Sequence, residues 1–156
     1  MSYEKTGVLS KKDLRMPLKK HLEKGVAFTE CVQRIPCNPC VDVCPVDAIT
    51  MEDINAPPVV SYDRCTGCAR CVAVCPGLAI FVLKTKNDKA LVTLPYEFLP
   101  VPEKNEKVWA LDRTGQRIDE GVVKKVVKKG KTNVVTVEVN REYLMDVRNI
   151  RVKRKI

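Results

Sequence analysis

Several residue types are scarce in this chain of 156 residues, and each scarcity argues against a class of protein. Aromatic residues make up 5% of the sequence, and histidine occurs once, at position 21. No apolar run approaches the roughly 18 residues that a membrane-spanning helix needs. The N-terminal stretch MSYEKTGVLSKKDLR lacks the apolar segment of a secretion signal. We therefore expect a soluble, cytoplasmic protein without a membrane span.

The chain also lacks the motifs of common catalytic sites. It contains no G-x-G-x-x-G segment, no phosphate-binding P-loop and no C-x3-C-x2-C motif of radical enzymes. His21 lies in MPLKKHLEKG, where Pro17 and Gly25 predict the start and the end of a short helix. We expect His21 to be a solvated helix residue and not a ligand. The sequence thus offers no nucleophile–base pair, and the chain is not expected to be an enzyme by itself.

Cysteine is absent from both ends of the chain, because all eight cysteines lie between Cys31 and Cys75. Secreted disulfide scaffolds spread their cysteines over the whole fold and carry an export signal. Neither condition holds here. The distribution therefore favours metal binding over disulfide bonding.

The cysteine region contains an internal repeat with an offset of 31 residues. CNPCVDVCPVDAI, which begins at Cys37, aligns with CARCVAVCPGLAI, which begins at Cys68, and eight of the thirteen positions are identical. Three cysteines and a proline that recur in register indicate a duplication.

The second copy belongs to a longer motif, C-x2-C-x2-C-x3-C-P, between Cys65 and Pro76. This spacing is specific for [4Fe–4S] binding, because closely spaced thiolates can wrap one corner of a cubane. Gly67 suits a position where a Cβ would crowd the cluster or where φ is positive. On these motifs, residues 31–82 resemble the bacterial ferredoxins that carry two [4Fe–4S] clusters.

The resemblance implies a fold, a cofactor set and a ligand set. The implied fold is α+β, a ferredoxin-like unit of two short helices and paired hairpins related by a pseudo-twofold axis. Two [4Fe–4S] clusters are expected, and the last cysteine of each motif serves the cluster of the other motif. The implied ligands are Cys31, Cys37, Cys40 and Cys75 for cluster 1, and Cys65, Cys68, Cys71 and Cys44 for cluster 2.

Cys31 departs from the regular spacing. At the repeat offset Cys65 aligns with Arg34, so three extra residues separate Cys31 from Cys37. Three residues span up to about 10 Å, and we expect a bulged loop to bring Cys31 to cluster 1. The alternative is a [3Fe–4S] cluster 1 without Cys31 as a ligand. Arg34 and Ile35 in this loop are candidates for contact with a redox partner.

Zinc is a second alternative, because two zinc sites would also use all eight cysteines. Zinc ribbons, however, use paired C-x2–4-C knuckles that are separated by a spacer. Three cysteines in close succession before C-P do not form such knuckles. Iron–sulfur clusters are therefore the preferred interpretation.

The residues after Ile80 predict a β-rich region, because short β-branched segments alternate with turn-forming ones. We expect a small C-terminal β-barrel or curled antiparallel sheet, with Tyr96 and Trp109 in its core. The expected division is an N-terminal arm with a short helix (1–30), a dicluster ferredoxin domain (31–82) and a small β-rich domain (83–156). The predicted strand segments are FVLK, ALVTL, KVWALD, GVVKKVV, NVVTVEV and NIRVK.

The formal net charge of +9 lies mainly in the C-terminal half, where residues 79–156 carry eighteen Lys/Arg against ten Asp/Glu. The most basic segment is GVVKKVVKKGKTN. A basic β-barrel could bind nucleic acid, but the aromatic residues that stack on bases are scarce near this segment. Its lysines alternate with valines as on the solvated face of a strand. Nucleic-acid binding is thus the less favoured alternative.

A [4Fe–4S] cluster with four thiolate ligands has no open coordination position, so the expected function is one-electron transfer. ECVQRIPCNPCVDVCP, together with the arm and the C-terminal region, more loosely resembles the ferredoxin-type subunits of multisubunit flavin-dependent amine or amino-acid dehydrogenases. These are the proline dehydrogenase and hydrogen-cyanide-synthase-like complexes. The resemblance implies a hetero-oligomer with flavin-containing dehydrogenase subunits, and the alternative is a free-standing ferredoxin.

Overall fold

The computed structural model describes residues 8–9, 14–32, 34 and 36–153. Within these residues there are three short helices, α1 (Lys19–Lys24), α2 (Pro39–Val43) and α3 (Arg70–Val74), and a 3-10 turn at Arg141–Tyr143. The strands are β1 (Val26–Thr29), β2 (Ile49–Thr50), β3 (Val59–Val60), β4 (Ile80–Lys86), β5 (Lys89–Tyr96), β6 (Lys107–Leu111), β7 (Arg117–Lys129), β8 (Thr132–Asn140) and β9 (Asn149–Val152).

Seven of these strands form one antiparallel sheet in the order β1-β4-β5-β8-β7-β6-β9, and β2 pairs with β3 separately. The six β-branched segments that follow Ile80 in the sequence lie on β4 to β9. Val135, Val137 and Val139 of β8 are buried, as alternate positions of a strand that faces a core are. The sheet therefore buries its apolar face in the way that the alternating sequence pattern requires.

The 31-residue repeat extends to the backbone pairing outside the cysteine motifs. Thr29 of β1 pairs with Ile80 of β4, and Val60 of β3 pairs with Ile49 of β2. Val60 lies 31 residues after Thr29, and Ile49 lies 31 residues before Ile80. Asp47 and Leu78, which also differ by 31, have φ of 53° and 52°. The two copies thus share one local backbone structure, including a strained turn after each cysteine motif.

Strand β4 belongs to both parts of the molecule. Its first residues, from Ile80 to Leu83, pair with β1, and the residues from Val82 to Lys86 pair with β5. The strand therefore runs across the boundary predicted between residues 82 and 83, and β1 of the predicted arm lies in the same sheet as the C-terminal strands. The buried side chains of the described residues form one continuous core across this boundary.

The expectation that His21 is solvated is wrong. His21 is buried in α1, where its Nδ1 accepts a hydrogen bond from the backbone N–H of Leu18 (3.1 Å) and its Nε2 lies 2.8 Å from Oδ1 of Asp63. A helical wheel does not show this burial, because the covering loop comes from 42 residues further along the chain.

The two aromatic residues expected in the core of the β-rich region differ in burial. Tyr96 is buried, and its hydroxyl donates to the carbonyl oxygen of Pro100. Trp109 is only partly buried, and the cations of Arg117 and Lys153 lie 4.8 Å and 4.0 Å from its ring centre. The outward face of β6 carries Trp109 because the neighbouring positions, Val108 and Ala110, take the core side.

Candidate metal centres

Four cysteines line a cavity between α2 and the loop before it. Cys37 and Cys40 come from the first motif, Cys75 comes from the end of the second motif, and Cys31 comes from the segment that follows β1. The rest of the lining is apolar: Pro39, Met51, Ala56, Pro58, Pro76 and Ile80. The structure therefore brings together the four cysteines that were predicted for cluster 1.

A second cavity has the complementary set. Cys65, Cys68 and Cys71 of the second motif line it together with Cys44 from the end of the first. The remaining lining residues are mostly small or apolar: Ala27, Pro45, Val46, Ile49, Thr66, Gly67, Ala69 and Arg70. These four cysteines are the set that was predicted for cluster 2.

The two short helices explain why each motif contributes to both cavities. Cys40 lies inside α2 and Cys44 follows its last residue, while Cys71 and Cys75 occupy the same positions in α3. Positions four residues apart on a helix lie on neighbouring parts of one face, and here the helix end carries the fourth cysteine across to the other cavity. Each helix therefore connects one cavity to the other through its two cysteines.

Backbone N–H groups point at several cysteine sulfurs. The N–H of Ala48 donates to Sγ of Cys44 (3.3 Å), and the N–H of Ala79 donates to Sγ of Cys75 (3.4 Å), again 31 residues apart. Donors at this position stabilise a thiolate and raise the reduction potential of a cluster that the thiolate binds. Cys65 receives such a bond from Ala27 of β1 (3.2 Å).

Burial makes two of the thiols poor acids in the protein without metal. Burial, together with the neighbouring thiols of Cys75 and Cys37, raises the pKa of Cys40 to about 11. Burial raises the pKa of Cys71 to about 12, with contributions from Cys65 and Cys68 and also from Cys40 of the other cavity. A bound metal would offset the cost of ionising these thiols.

The segment between Cys31 and Cys37 is described in part. Arg34 is exposed, and its Nη2 lies 3.5 Å from Oδ2 of Asp53. Gln33 and Ile35 lie outside the described residues, and so does the predicted contact of Ile35 with a partner. Since Cys31 lines the first cavity, the extra residues of the loop do not carry it away from the other three cysteines.

The N-terminal arm packs over the loop that leads to Cys65, which sequence reasoning missed. The ammonium group of Lys24 donates to the carbonyl oxygens of Tyr62 (2.8 Å) and Asp63 (3.3 Å), and the hydroxyl of Tyr62 donates to the carbonyl oxygen of Arg15 (2.7 Å). The guanidinium of Arg15 lies 4.5 Å from the centre of the Tyr62 ring. The arm therefore covers one side of the second site.

None of the eight cysteines, all of which lie in the described part of the chain, forms a disulfide bond. Among the described residues, no group of three or more His, Cys, Asp or Glu side chains is arranged to hold a single metal ion. No helix within those residues is long and apolar enough to cross a membrane.

Comparisons with known proteins agree on the cysteine region. Residues 29–79 match the family described as the 4Fe-4S dicluster domain. An uncharacterized ferredoxin of Methanocaldococcus jannaschii is 46% identical over 56 residues, which is 36% of each chain. The polyferredoxin-like subunit of an aliphatic sulfonate oxidoreductase of Pyrococcus furiosus is 40% identical over 47 residues, 30% of this chain and 27% of that one.

The ferredoxin-type protein NapF of Haemophilus influenzae is 42% identical over 60 residues, 36% of this chain and 32% of that one. The chain thus spans only about a third of the length of the curated relatives it matches. No solved structure matches it significantly.

Motif spacing and family match together identify the class. The chain contains a 4Fe-4S dicluster ferredoxin domain. Residues 29–79 are therefore a ferredoxin-like iron–sulfur domain, and relatives that match this region are ferredoxins or ferredoxin-type proteins by name.

Proposed function

We propose that this protein is a subunit that relays single electrons between a flavoprotein dehydrogenase and an acceptor by means of two [4Fe–4S] clusters. The observation that carries the proposal is the lining of the two cavities, each by three cysteines of one motif and one of the other. In this proposal cluster 1 is held by Cys31, Cys37, Cys40 and Cys75, and cluster 2 by Cys65, Cys68, Cys71 and Cys44.

The donor atoms and the walls of both cavities suit such a cluster. Four thiolates are the usual ligands of a [4Fe–4S] cluster, which when bound supplies one-electron transfer. Apart from its thiols, the first lining contains no ionisable side chain and consists of apolar residues, prolines, Met51 and Ile80 among them. An apolar wall and N–H donors at the sulfurs shift the reduction potential of a cluster in opposite directions. The protein can therefore give the two clusters different reduction potentials.

The exposure of the cysteines supports one approach for a redox partner. Cys68 is exposed, whereas Cys40, Cys65 and Cys71 are buried. The surface around Cys68 is therefore where another protein can bring its redox group closest to a ligand. In our proposal this surface is an entry or exit point for electrons.

Two observations support a subunit over a free-standing ferredoxin. The β-rich region continues the sheet of the ferredoxin domain and is not needed to line either cavity. The relative from Pyrococcus furiosus is by its name a subunit of an oxidoreductase. That the partner is a flavoprotein is supported by the resemblance of the first cysteine motif and its surroundings.

Metal and sulfide analysis of the full chain, purified without oxygen, tests the proposal. We expect about eight iron atoms and about eight sulfides per chain, four of each per cluster. After reduction, the electron paramagnetic resonance spectrum is expected to show two interacting [4Fe–4S]+ centres. Zinc without sulfide would refute the proposal.

The partner is tested by purification from the native source without oxygen. Co-elution with a flavin-containing protein supports the subunit, and a monomer without flavin supports the free-standing ferredoxin. A salt series of filter binding with single-stranded and duplex DNA tests the remaining alternative, for which Lys124, Lys125 and Lys128 are exposed. Retention of DNA at physiological salt would favour it.

A further inference from the structure

The residue before Cys31 carries a buried negative charge. The side chain of Glu30 is 7% exposed, and its carboxylate is bound by two arginines. Arg113 binds it in a bidentate manner, with Nε donating to Oε1 (2.8 Å) and Nη2 donating to Oε2 (2.9 Å). Arg148 donates from its Nε to the same Oε2. Bidentate, charge-assisted bonds of this kind hold a carboxylate in one orientation.

Both arginines come from the β-rich region and are themselves held. Arg148, which is 4% exposed, donates from Nη1 to the carbonyl oxygens of Leu144 (2.9 Å) and Val147 (2.6 Å). Its guanidinium lies 5.2 Å from the ring centre of Phe81 in β4. Arg113 follows β6 and is 12% exposed. The β-rich region therefore presents two positioned cations to the residue that directly precedes Cys31.

The position equivalent to Glu30 in the second copy of the repeat has a local turn in place of the contact with the two arginines. At the offset of 31 residues Glu30 corresponds to Ser61, and their N–H groups bond to the equivalent carbonyl oxygens of Ala79 (2.7 Å) and Ala48 (2.6 Å). In the second copy the chain then turns: the N–H of Cys65 donates to the carbonyl oxygen of Ser61 (3.0 Å), and the compact C-x2-C loop follows.

The first copy differs at its first ligand. Cys31 follows Glu30 directly, and five residues instead of two separate it from the next cysteine. A longer loop restrains its ends less, because more conformations are open to it. The loop by itself therefore restrains Cys31 less than the compact loop restrains Cys65, and the carboxylate of the residue before Cys31 is anchored by two arginines.

We propose that Arg113 and Arg148 are positioning residues for Cys31. By holding Glu30 they direct the thiol of Cys31 into the first cavity, so that the β-rich region completes the four-cysteine set of cluster 1. The inference rests on the proposed function, since it assumes that this cavity holds a [4Fe–4S] cluster. The C-terminal region thereby has a role in building the metal site, because it positions the Cys31 thiolate that binds one iron of cluster 1.

The test compares the full chain with its Arg113→Gln variant, both assembled and handled without oxygen. In the variant we expect about seven iron atoms per chain in place of about eight, because one iron of cluster 1 loses its thiolate. Mild oxidation should then give the paramagnetic signal of a [3Fe–4S] cluster at about one spin per chain. Cys31→Ala is expected to give the same signal and serves as the reference spectrum.

Two further variants separate positioning from stability. Arg113→Lys keeps the charge but not the bidentate fork, and we expect it to restore part of the [4Fe–4S] signal. Val137→Ala weakens the core of β8, where Val137 is buried and pairs with Val92 and Val123. Both variants are compared with Arg113→Gln at temperatures that leave the same fraction of each protein folded.

The outcomes decide between distinct failures. An Arg113→Gln protein with full iron and the wild-type spectrum overturns the inference, and so does a Val137→Ala protein that loses the same single iron. Loss of both clusters from Arg113→Gln also overturns it, because the effect is then not confined to Cys31. A wild-type chain without sulfide refutes the proposed function itself.

Discussion

A Cβ atom on Gly67 would lie 2.9 Å from the carbonyl oxygen of Gly25, so the loop between Cys65 and Cys68 meets the end of α1 backbone to backbone. Gly67 also has φ of +73°, a conformation that L side chains rarely adopt. With the bonds from Lys24 to the carbonyl oxygens of Tyr62 and Asp63, this approach ties the N-terminal arm to the second cavity. The arm is therefore part of the structure that shapes the candidate site of cluster 2.

Replacement of Gly67 by alanine is expected to weaken the second site. The left-handed backbone costs about 1–2 kcal/mol for a residue with a Cβ, and the contact with Gly25 adds to that cost. Gly130→Ala is the matched control, because Gly130 has φ of +65° but no atom within 4 Å of its Cβ position. We expect a lower unfolding midpoint in both variants and a loss of iron only in Gly67→Ala. Equal iron contents would show that the close approach does not matter.

In the proposed ligand sets, the last cysteine of each motif binds the cluster of the other motif. This arrangement predicts that the iron losses of certain double variants are not additive. If Cys75 belongs with Cys37, then Cys75→Ser combined with Cys37→Ser should remove no more iron than the more severe single variant. Cys75→Ser combined with Cys68→Ser should instead remove iron from both sites. Iron and sulfide analysis distinguishes these results. The opposite pattern would mean that each motif binds one cluster with its own four cysteines.

The His21 imidazole is buried and hydrogen-bonded, so we predict that replacing it lowers the protection of backbone amides against exchange in the loop before Cys65. Since Nδ1 accepts from Leu18, Nε2 carries the proton and donates to Asp63. His21→Leu removes both of these part-buried hydrogen bonds, at a net cost of about 0.5–1.5 kcal/mol each. We expect faster amide exchange in α1 and at residues 61–65. Lys20→Ala is the control, because its ion pair with Asp63 is 3.9 Å long and exposed; an equal effect would contradict the role of His21.

The shared strand predicts that the C-terminal region does not fold alone. A fragment of residues 90–156 would lack β4, the partner of β5, and also Glu30 and Phe81, which lie against Arg148. Strand β5 would become a sheet edge with unpaired backbone groups. We expect poorly dispersed amide resonances from the fragment. A well-dispersed spectrum of the fragment would contradict this dependence.

The family resemblance that the cysteine motifs carry implied how the cysteines group, and the structure places the same four cysteines around each cavity. Three cysteines of each cavity come from a stretch of ten residues or fewer, 31–40 for the first and 65–71 for the second, and the offset of 31 relates the two motifs. The β-branched segments after Ile80 likewise predict strands, since the alternation of a strand is visible within a few residues.

The contacts between distant segments could not be predicted in this way. Glu30 meets Arg113 and Arg148 across 83 and 118 residues of sequence, and nothing near any of the three indicates the others. Burial would raise the pKa of Glu30, yet the hydrogen bonds and charges of the two arginines bring that pKa below its usual value. The burial of His21 was missed for the same reason, because it depends on a loop that only the tertiary fold brings near.

The continuity of β4 has a consequence for how electrons reach the protein. Many redox proteins carry a mobile domain that swings between donor and acceptor, and such motion needs a flexible segment at the domain boundary. Here a single strand pairs with β1 on one side and with β5 on the other, so the cluster-binding half cannot turn relative to the β-rich half without breaking the ladder. In the proposed relay a donor and an acceptor would therefore each bind to a molecule in which the distance between the two cavities is fixed.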